Sequence, residues 1–282
     1  MIELAALFAV TGAASNAVGT AFQRKAASTS RRTGVRLLGE LMRRPAWVIG
    51  MAGVIGAAVF QSLALVNGPL ALVQPLFILE LPFALLVAGP LMHRRLPRSG
   101  WWGVGAVVAG LAVLLASAAP HGATSQAPLH RWVPAVGLCL GAMGSAVFLA
   151  SRGRAGARRA ALLAAASATG NALTAALLKS ASGTFADHGF PAFLRSWQTY
   201  GFALTGAAAV LLLENALQAG PLAASQPALT IGDAVISLAL GMTLFEERVR
   251  TGWWLVPEAC GAALIVVGVL VLSRAVQRIA MT

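Results

Sequence analysis

Nine stretches of about 20 mostly apolar residues follow one another along the chain, each long enough to cross a lipid bilayer. Only 11% of the residues are charged, whereas a soluble domain has about 25%, so lipid is expected to surround most of the chain. The sequence therefore predicts an all-α polytopic membrane protein of about nine transmembrane helices. The predicted helices span residues 2–22, 45–67, 70–92, 101–118, 133–150, 160–179, 197–218, 221–244 and 253–272.

Two very short junctions separate neighbouring apolar stretches: Asn67-Gly68-Pro69 and Ala219-Gly220-Pro221. Proline cannot continue a helix from the preceding turn, and glycine tolerates backbone angles that other residues avoid. Each junction therefore predicts a tight turn between two helices.

Basic residues are concentrated between the apolar stretches. The segments 23–44, 93–100, 151–159 and 273–282 together carry 16 of the 21 Lys and Arg residues. With nine helices these segments share one side, and Lys and Arg favour the cytoplasmic side. We predict a multi-pass protein of the plasma (cytoplasmic) membrane, with the N-terminus outside and the C-terminus inside. The net charge of +12 does not indicate nucleic-acid binding, because the basic residues form no single basic domain.

Residues 23–44 leave the helix count open. A tenth helix there would have to accommodate seven basic residues, which is costly in lipid. An interfacial helix is one alternative, because Val35, Leu38 and Leu41 oppose Arg36 and Arg43. An ordinary basic loop is equally compatible with the composition.

The second half of the sequence repeats part of the first. Residues 61–102 match 213–254 at 14 of 42 positions without a gap. The shared core reads Ala-Leu-x-x-Gly-Pro-Leu-Ala-x-x-Gln-Pro, and Gly100-Trp101-Trp102 recurs as Gly252-Trp253-Trp254. With a three-residue slip, Asn16 corresponds to Asn171 and Arg24 to Lys179.

Four helices per repeat and one linking helix, 133–150, would invert the second half relative to the first. We therefore expect a first repeat over 1–118, a linking helix with its loops over 119–159, and a second repeat over 160–282. Inverted repeats are common in secondary transporters, where the substrate site lies between the halves near the middle of the membrane. A duplicated structural or channel protein is the alternative.

A polar stripe on the eighth predicted helix is the main candidate for a substrate pathway. Gln226, Thr230, Asp233 and Ser237 are spaced to lie on one helical face. A charged group at the membrane centre costs about 2.5–3.5 kcal/mol on insertion scales, so acids there are candidates for function. The stripe is expected to line a hydrated cavity; the alternative is a hydrogen-bonded seam between helices.

Other polar residues extend the candidate set. Glu80 lies between Pro75 and Pro82, where prolines kink the helix and free backbone carbonyls. Gln74 is the repeat mate of Gln226, whereas Asp233 aligns with Leu81, so the acids of the two halves point differently. The remaining pathway candidates are Glu214, Asn16 and Asn171, the last two belonging to Ser, Thr and Asn stripes that more often join helices than bind substrate.

Neither an enzyme nor a cofactor is predicted. The sequence lacks a phosphate-binding Gly-x-x-x-x-Gly-Lys-Ser/Thr loop, so ATP-driven pumping by this chain is not expected, and the histidines are not spaced as metal ligands. Glu258 follows Pro257 near a helix end within reach of Arg248 or Arg250, which predicts a structural role.

The motif Leu65-Val66-Asn67-Gly68-Pro69-Leu70-Ala71-Leu72-Val73-Gln74-Pro75 and its copy resemble the drug/metabolite transporter superfamily, in which this turn joins two helices of an EamA-type repeat. Phe245-Glu246-Glu247-Arg248 resembles the end of the following helix there, whereas the first half has His93-Arg94-Arg95-Leu96. The nine-helix count is similar to the NIPA-like magnesium transporter branch. This resemblance implies the fold and a transport activity.

Three functions follow as hypotheses. The first is a secondary transporter for a small polar metabolite or drug, working by alternating access, with an acid in the path that allows proton coupling. The second is a divalent-cation pathway for magnesium, with Glu80, Asp233 and Glu214 as oxygen ligands. The third is a non-transporting membrane subunit.

Overall fold

Long apolar runs in lipid form helices because an α-helix satisfies its own backbone hydrogen bonds. The computed structural model describes residues 2–28, 45–91, 98–122, 124–220, 222–250 and 252–281, and these are almost entirely helical. A 3-10 turn at Gly252–Trp254 precedes the last helix. The α-helices are α1 (Ile2–Ser28), α2 (Pro45–Asn67), α3 (Leu70–Phe77), α4 (Glu80–Leu91), α5 (Arg98–Ala118), α6 (Leu129–Ser151), α7 (Ala157–Arg195), α8 (Trp197–Ala219), α9 (Leu222–Leu244) and α10 (Leu255–Met281).

Within the described part of the chain, nine helical segments are long and apolar enough to cross a membrane. α3 and α4 together form one of them, Leu70–Val87. This confirms the prediction of an all-α polytopic architecture with nine such helices. The tenth or interfacial helix considered for 23–44 falls on 29–44 outside the described residues, although α1 continues to Ser28.

The predicted helix 70–92 is interrupted after Phe77. Pro75 and Pro82 have no backbone N–H, so two successive turns each lack a hydrogen bond. The intervening amides bond three residues back instead: the Ile78 amide bonds to the Pro75 carbonyl and the Leu79 amide to the Leu76 carbonyl, both at 3.1 Å. A continuous helix was therefore wrong here, and Glu80 begins a new helix, α4.

The helix predicted over 160–179 is also longer than expected. α7 runs over 39 residues and is interrupted at Gly189, whose φ of 78° lies in the left-handed region that favours glycine. The predicted end of this helix at Lys179 was wrong, because the helix continues to Arg195. α7 packs against α2, α6, α8 and α9 and is the most buried helix in the described part.

Helices pair in a similar way in the two halves. α1 packs against α2, α3 and α4, and α7 packs against α8 and α9. Several contacts join the halves, among them α2 with α7, α3 with α9, and α5 with α10. At the α5–α10 crossing the backbones touch, since a Cβ added at Gly261 would lie 2.7 Å from the Leu114 nitrogen. Close backbone approach through glycine is how helices pack in membranes.

A segment between α5 and α6 folds over one end of the helices. The His121 amide donates to the Arg248 carbonyl at 3.0 Å, and the Arg248 amide donates back at 2.9 Å. The Gln126 amide group donates to the Ser180 carbonyl of α7 at 3.1 Å. Residues 119–122 and 124–128 are thereby tied to residues 245–250, which link α9 to α10, and to α7.

Candidate functional site

The polar stripe predicted on the eighth transmembrane segment lies on α9, which packs against α7 and α3. Gln226, Thr230 and Asp233 are half-buried, whereas Ser237 is fully buried. The Ser237 hydroxyl donates to Oδ1 of Asp233 at 3.4 Å, a long hydrogen bond. The stripe is thus accessible along its first part and closes toward the α9 C-terminus.

The matching residues of the first half occupy two different helices. Gln74 is buried on α3, the helix that packs against α9, whereas Glu80 is half-buried at the start of α4, which packs against α1. The break after Phe77 therefore separates two candidates that a continuous helix would have placed less than two turns apart. Of these two residues, Gln74 lies on the helix that contacts the helix of Asp233.

Two other acids differ in their surroundings. Glu214 is exposed on α8, and Glu258 is half-buried in the first turn of α10. Oε2 of Glu258 is buried and has no hydrogen-bond partner among the described residues. Arg250, one of its two expected partners, instead lies over the Trp254 ring with its guanidinium carbon 4.9 Å from the ring centre.

Asn16 on α1 and Asn171 on α7 are half-buried, and their helices are joined to neighbours by nearby hydroxyl groups. Ser15 donates to the Gly53 carbonyl of α2 at 2.8 Å, and Ser167 donates to the Ala209 carbonyl of α8 at 2.8 Å. Hydroxyl groups of these helices therefore form hydrogen-bonded seams, the role that Ser and Thr most often have between membrane helices.

The structure does not gather the acids into a metal site in its described part. No group of three or more His, Cys, Asp or Glu side chains there is arranged to hold a metal ion. Glu80, Asp233 and Glu214 lie on three different helices, α4, α9 and α8.

A buried ion pair that the sequence did not predict lies beyond the C-terminal end of the α9 stripe. Nζ of Lys179 is 2.7 Å from Oε1 of Glu247, and both side chains are at most 1% exposed. Glu247 also accepts hydrogen bonds from the amides of Leu70, at 2.6 Å, and Ala71, at 2.9 Å. Lys179 donates to the Gly68 carbonyl at 3.0 Å. The Glu247 carboxylate thus caps the N-terminus of α3, where the helix dipole favours negative charge.

Aromatic side chains pack beside this ion pair. Nζ of Lys179 lies 4.9 Å from the centre of the Phe245 ring, a distance at which a cation and a ring attract. Trp132 contacts the same ring edge-on at 6.2 Å and is itself 1% exposed. Two charges in an apolar environment are tolerated because each has several partners.

The sequence contained one signal for this pair that went unused. Lys179 is a single basic residue at the end of a long apolar run, and ionisable residues in such runs require a partner. Its partner lies 68 residues away in a segment expected to be a charged loop. Nothing in the local pattern distinguishes buried Glu247 from Glu246, which is exposed and pairs with Arg131 at 2.7 Å.

The chain is similar to a known protein over nearly its whole length. The chain is 26% identical over 276 residues to an uncharacterized protein of Corynebacterium glutamicum, covering 96% of this chain and 95% of the relative. The two proteins are therefore similar from end to end. No family model matches the chain, and no solved structure matches it.

Proposed function

We propose that this protein is a secondary transporter of the drug/metabolite type that moves a small polar metabolite or drug by alternating access. The observation that carries the proposal is the polar stripe on α9. Its acid, Asp233, is half-buried in the middle of a helix long enough to span the membrane. An acid in that position is expensive unless it meets water, a proton or a substrate, so it indicates a pathway.

The pairing of helices supports two inverted repeats on either side of this path. α1 with its partners α2, α3 and α4 corresponds to α7 with its partners α8 and α9. The α5–α10 and α3–α9 contacts each join equivalent segments of the two halves. In such an arrangement the substrate site lies between the halves, and rocking of one half against the other exposes it to each side in turn.

One departure from this symmetry favours a particular state. α2 of the first half packs against α7 of the second, but α8 has no comparable packing against α1 within the described residues. With the N-terminus outside, as the basic segments favour, α2 ends on the outer side, where Lys179 of α7 donates to the Gly68 carbonyl directly after it. We infer that this conformation is closed outside, with the path opening toward the inside.

The test is transport by the purified protein in liposomes. Proton movement coupled to amino acids, nucleosides and cationic dyes would be followed with an internal pH-sensitive dye, and magnesium entry with a magnesium-sensitive dye. We expect Asp233→Asn to abolish proton-coupled flux of whichever compound is carried, because an amide cannot exchange a proton or balance a positive charge. Glu80→Gln and the double variant test whether both halves contribute.

Asp187→Asn is a suitable control, because it also removes one acid but at an exposed position of α7. Magnesium entry that depends on Asp233 and Glu80, without flux of any organic compound, would replace this proposal with the cation hypothesis. A folded protein that transports none of these compounds would favour the role of a membrane subunit.

A further inference from the structure

The ion pair of Lys179 and Glu247 lies directly over the end of the candidate pathway. Gly241 follows Ser237 by four residues and therefore continues the α9 stripe on the same face. A Cβ added at Gly241 would overlap the Glu247 carboxylate, so that carboxylate rests on the stripe itself. Glycine is needed here because the acid takes the space of a side chain.

Exposure along the stripe changes in the same direction. Thr230 and Asp233 are half-buried, and Ser237 is fully buried. Glu247, whose carboxylate rests against Gly241, is 3% exposed. The path is thus closed where the ion pair lies and less covered away from it. This gradient fits a path that is covered at the end where the ion pair lies.

The same ion pair joins the two halves of the chain. Lys179 and Glu247 belong to the second half, whereas their backbone partners at Gly68, Leu70 and Ala71 belong to the first. A rocking movement of one half against the other has to separate these groups.

The sequence offers no equivalent pair at the opposite end. In the aligned first half, Glu247 corresponds to Arg95 and Lys179 to Arg24, so both positions are basic. Two like charges cannot form an ion pair and repel each other. The repeat therefore has no acid–base pair at these two aligned positions.

From these observations we propose that Lys179, Glu247 and the N-terminus of α3 form the outer gate of the transport path. The proposal rests on the proposed transport function and assigns its outer gate. The gate opens when the Glu247 carboxylate leaves the amides of Leu70 and Ala71, together with the segment 245–250 that carries it. α3 is then left with an uncapped N-terminus and Lys179 without its counter-charge, which favours closing again once the path is empty.

Accessibility of a buried cysteine tests the gate without any substrate. The natural cysteines are first replaced by Cys139→Ala and Cys260→Ser, and Ser237→Cys then serves as a reporter beneath the gate. Right-side-out vesicles are treated with a membrane-impermeant maleimide. In the presence of Glu247→Gln or Lys179→Met we expect labelling from outside to rise at least about tenfold, because loss of one charge of a buried pair is enough to shift a two-state equilibrium that far.

The neighbouring ion pair supplies a matched control. Glu246 and Arg131 also pair at 2.7 Å, on the same end of the molecule, but their side chains are 59% and 36% exposed. Glu246→Gln should leave the labelling rate unchanged. A charge-exchange variant supplies a second control. Lys179→Glu combined with Glu247→Lys should not restore closure, because a lysine cannot cap the α3 amides.

Folding is checked with the double variant Lys179→Met with Glu247→Gln, which leaves no unpaired charge, and with monodisperse elution of every variant. Unchanged labelling of folded variants, or restored closure on charge exchange, would overturn the gate. If labelling rises but no compound is transported, the ion pair controls access and the proposed transport function fails. If transport is intact and labelling does not change, the gate alone is wrong.

Discussion

Removing one partner of the Lys179–Glu247 pair should lower the free energy of unfolding at least as much as removing both partners together. The pair is inaccessible to water, with side-chain exposures of 1% and 0%, so solvent does not screen it. Breaking a buried pair leaves an uncompensated charge and costs about 3–5 kcal/mol. The two single variants are not expected to be equal, because the partners that remain differ.

In Lys179→Met the Glu247 carboxylate keeps two amide hydrogen bonds and the favourable end of the α3 dipole. We expect a loss of about 3 kcal/mol in the free energy of unfolding, the lower end of that range. In Glu247→Gln the ammonium of Lys179 loses its counter-charge, and an NH2 group replaces one of the two oxygens that accept from Lys179 and the α3 amides, so the loss should approach about 5 kcal/mol. The double variant should be no less stable than the Lys179→Met single variant.

The measurement is a double-mutant cycle on purified protein, with reversible unfolding followed in mixed detergent micelles. The expected coupling energy is about 5 kcal/mol or more, because the single losses add to about 8 kcal/mol and the double variant loses at most about 3 kcal/mol. The exposed pair of Arg131 and Glu246 is the comparison, and its single variants should each cost at most about 1 kcal/mol. Additive losses at Lys179 and Glu247, within about 0.5 kcal/mol, would refute the reasoning.

Two further predictions test packing and topology. Gly261→Val should destabilise the protein by about 1–3 kcal/mol or more, because the new Cβ would lie 2.7 Å from the α5 backbone at Leu114. Gly137→Val on α6 is the control: its Cβ would meet nothing within 4 Å, so stability should change by about 0.5 kcal/mol or less. Equal losses in detergent unfolding would contradict the α5–α10 contact. In protein without its natural cysteines, Ser30→Cys should react with an impermeant maleimide only from the inside, and reaction only from the outside would reverse the proposed orientation.

The polar stripe shows what helical periodicity can and cannot predict. Gln226, Thr230, Asp233 and Ser237 share a face because their spacing matches the helical repeat, and α9 is a helix over all four. Periodicity does not say what covers that face. The tertiary structure decides this: α9 packs against α3, α7 and α10 among other helices, and in that packing Ser237 is fully buried while Asp233 is half-buried.

The break at residues 78 and 79 marks a second limit. Pro75 and Pro82 indicated a kink, but a kink and an interruption have the same local signal. The interruption places Gln74 on α3 against α9 and Glu80 on α4 against α1. The contacts of each short helix with its neighbours therefore decided which candidate residues share a helix surface.

The nine apolar helices of the described part of the chain followed from the sequence alone, because a backbone in lipid must bond to itself and each run is long enough to span the bilayer. Only the tertiary structure decided which of its few charges are buried together. Lys179 lies 68 residues from Glu247 and 111 residues from Gly68 in the turn before α3, so no local pattern connects them. Their meeting depends on α7 and the end of α9 packing against the first half, and an ion pair in that apolar setting persists because each charge finds its partners there.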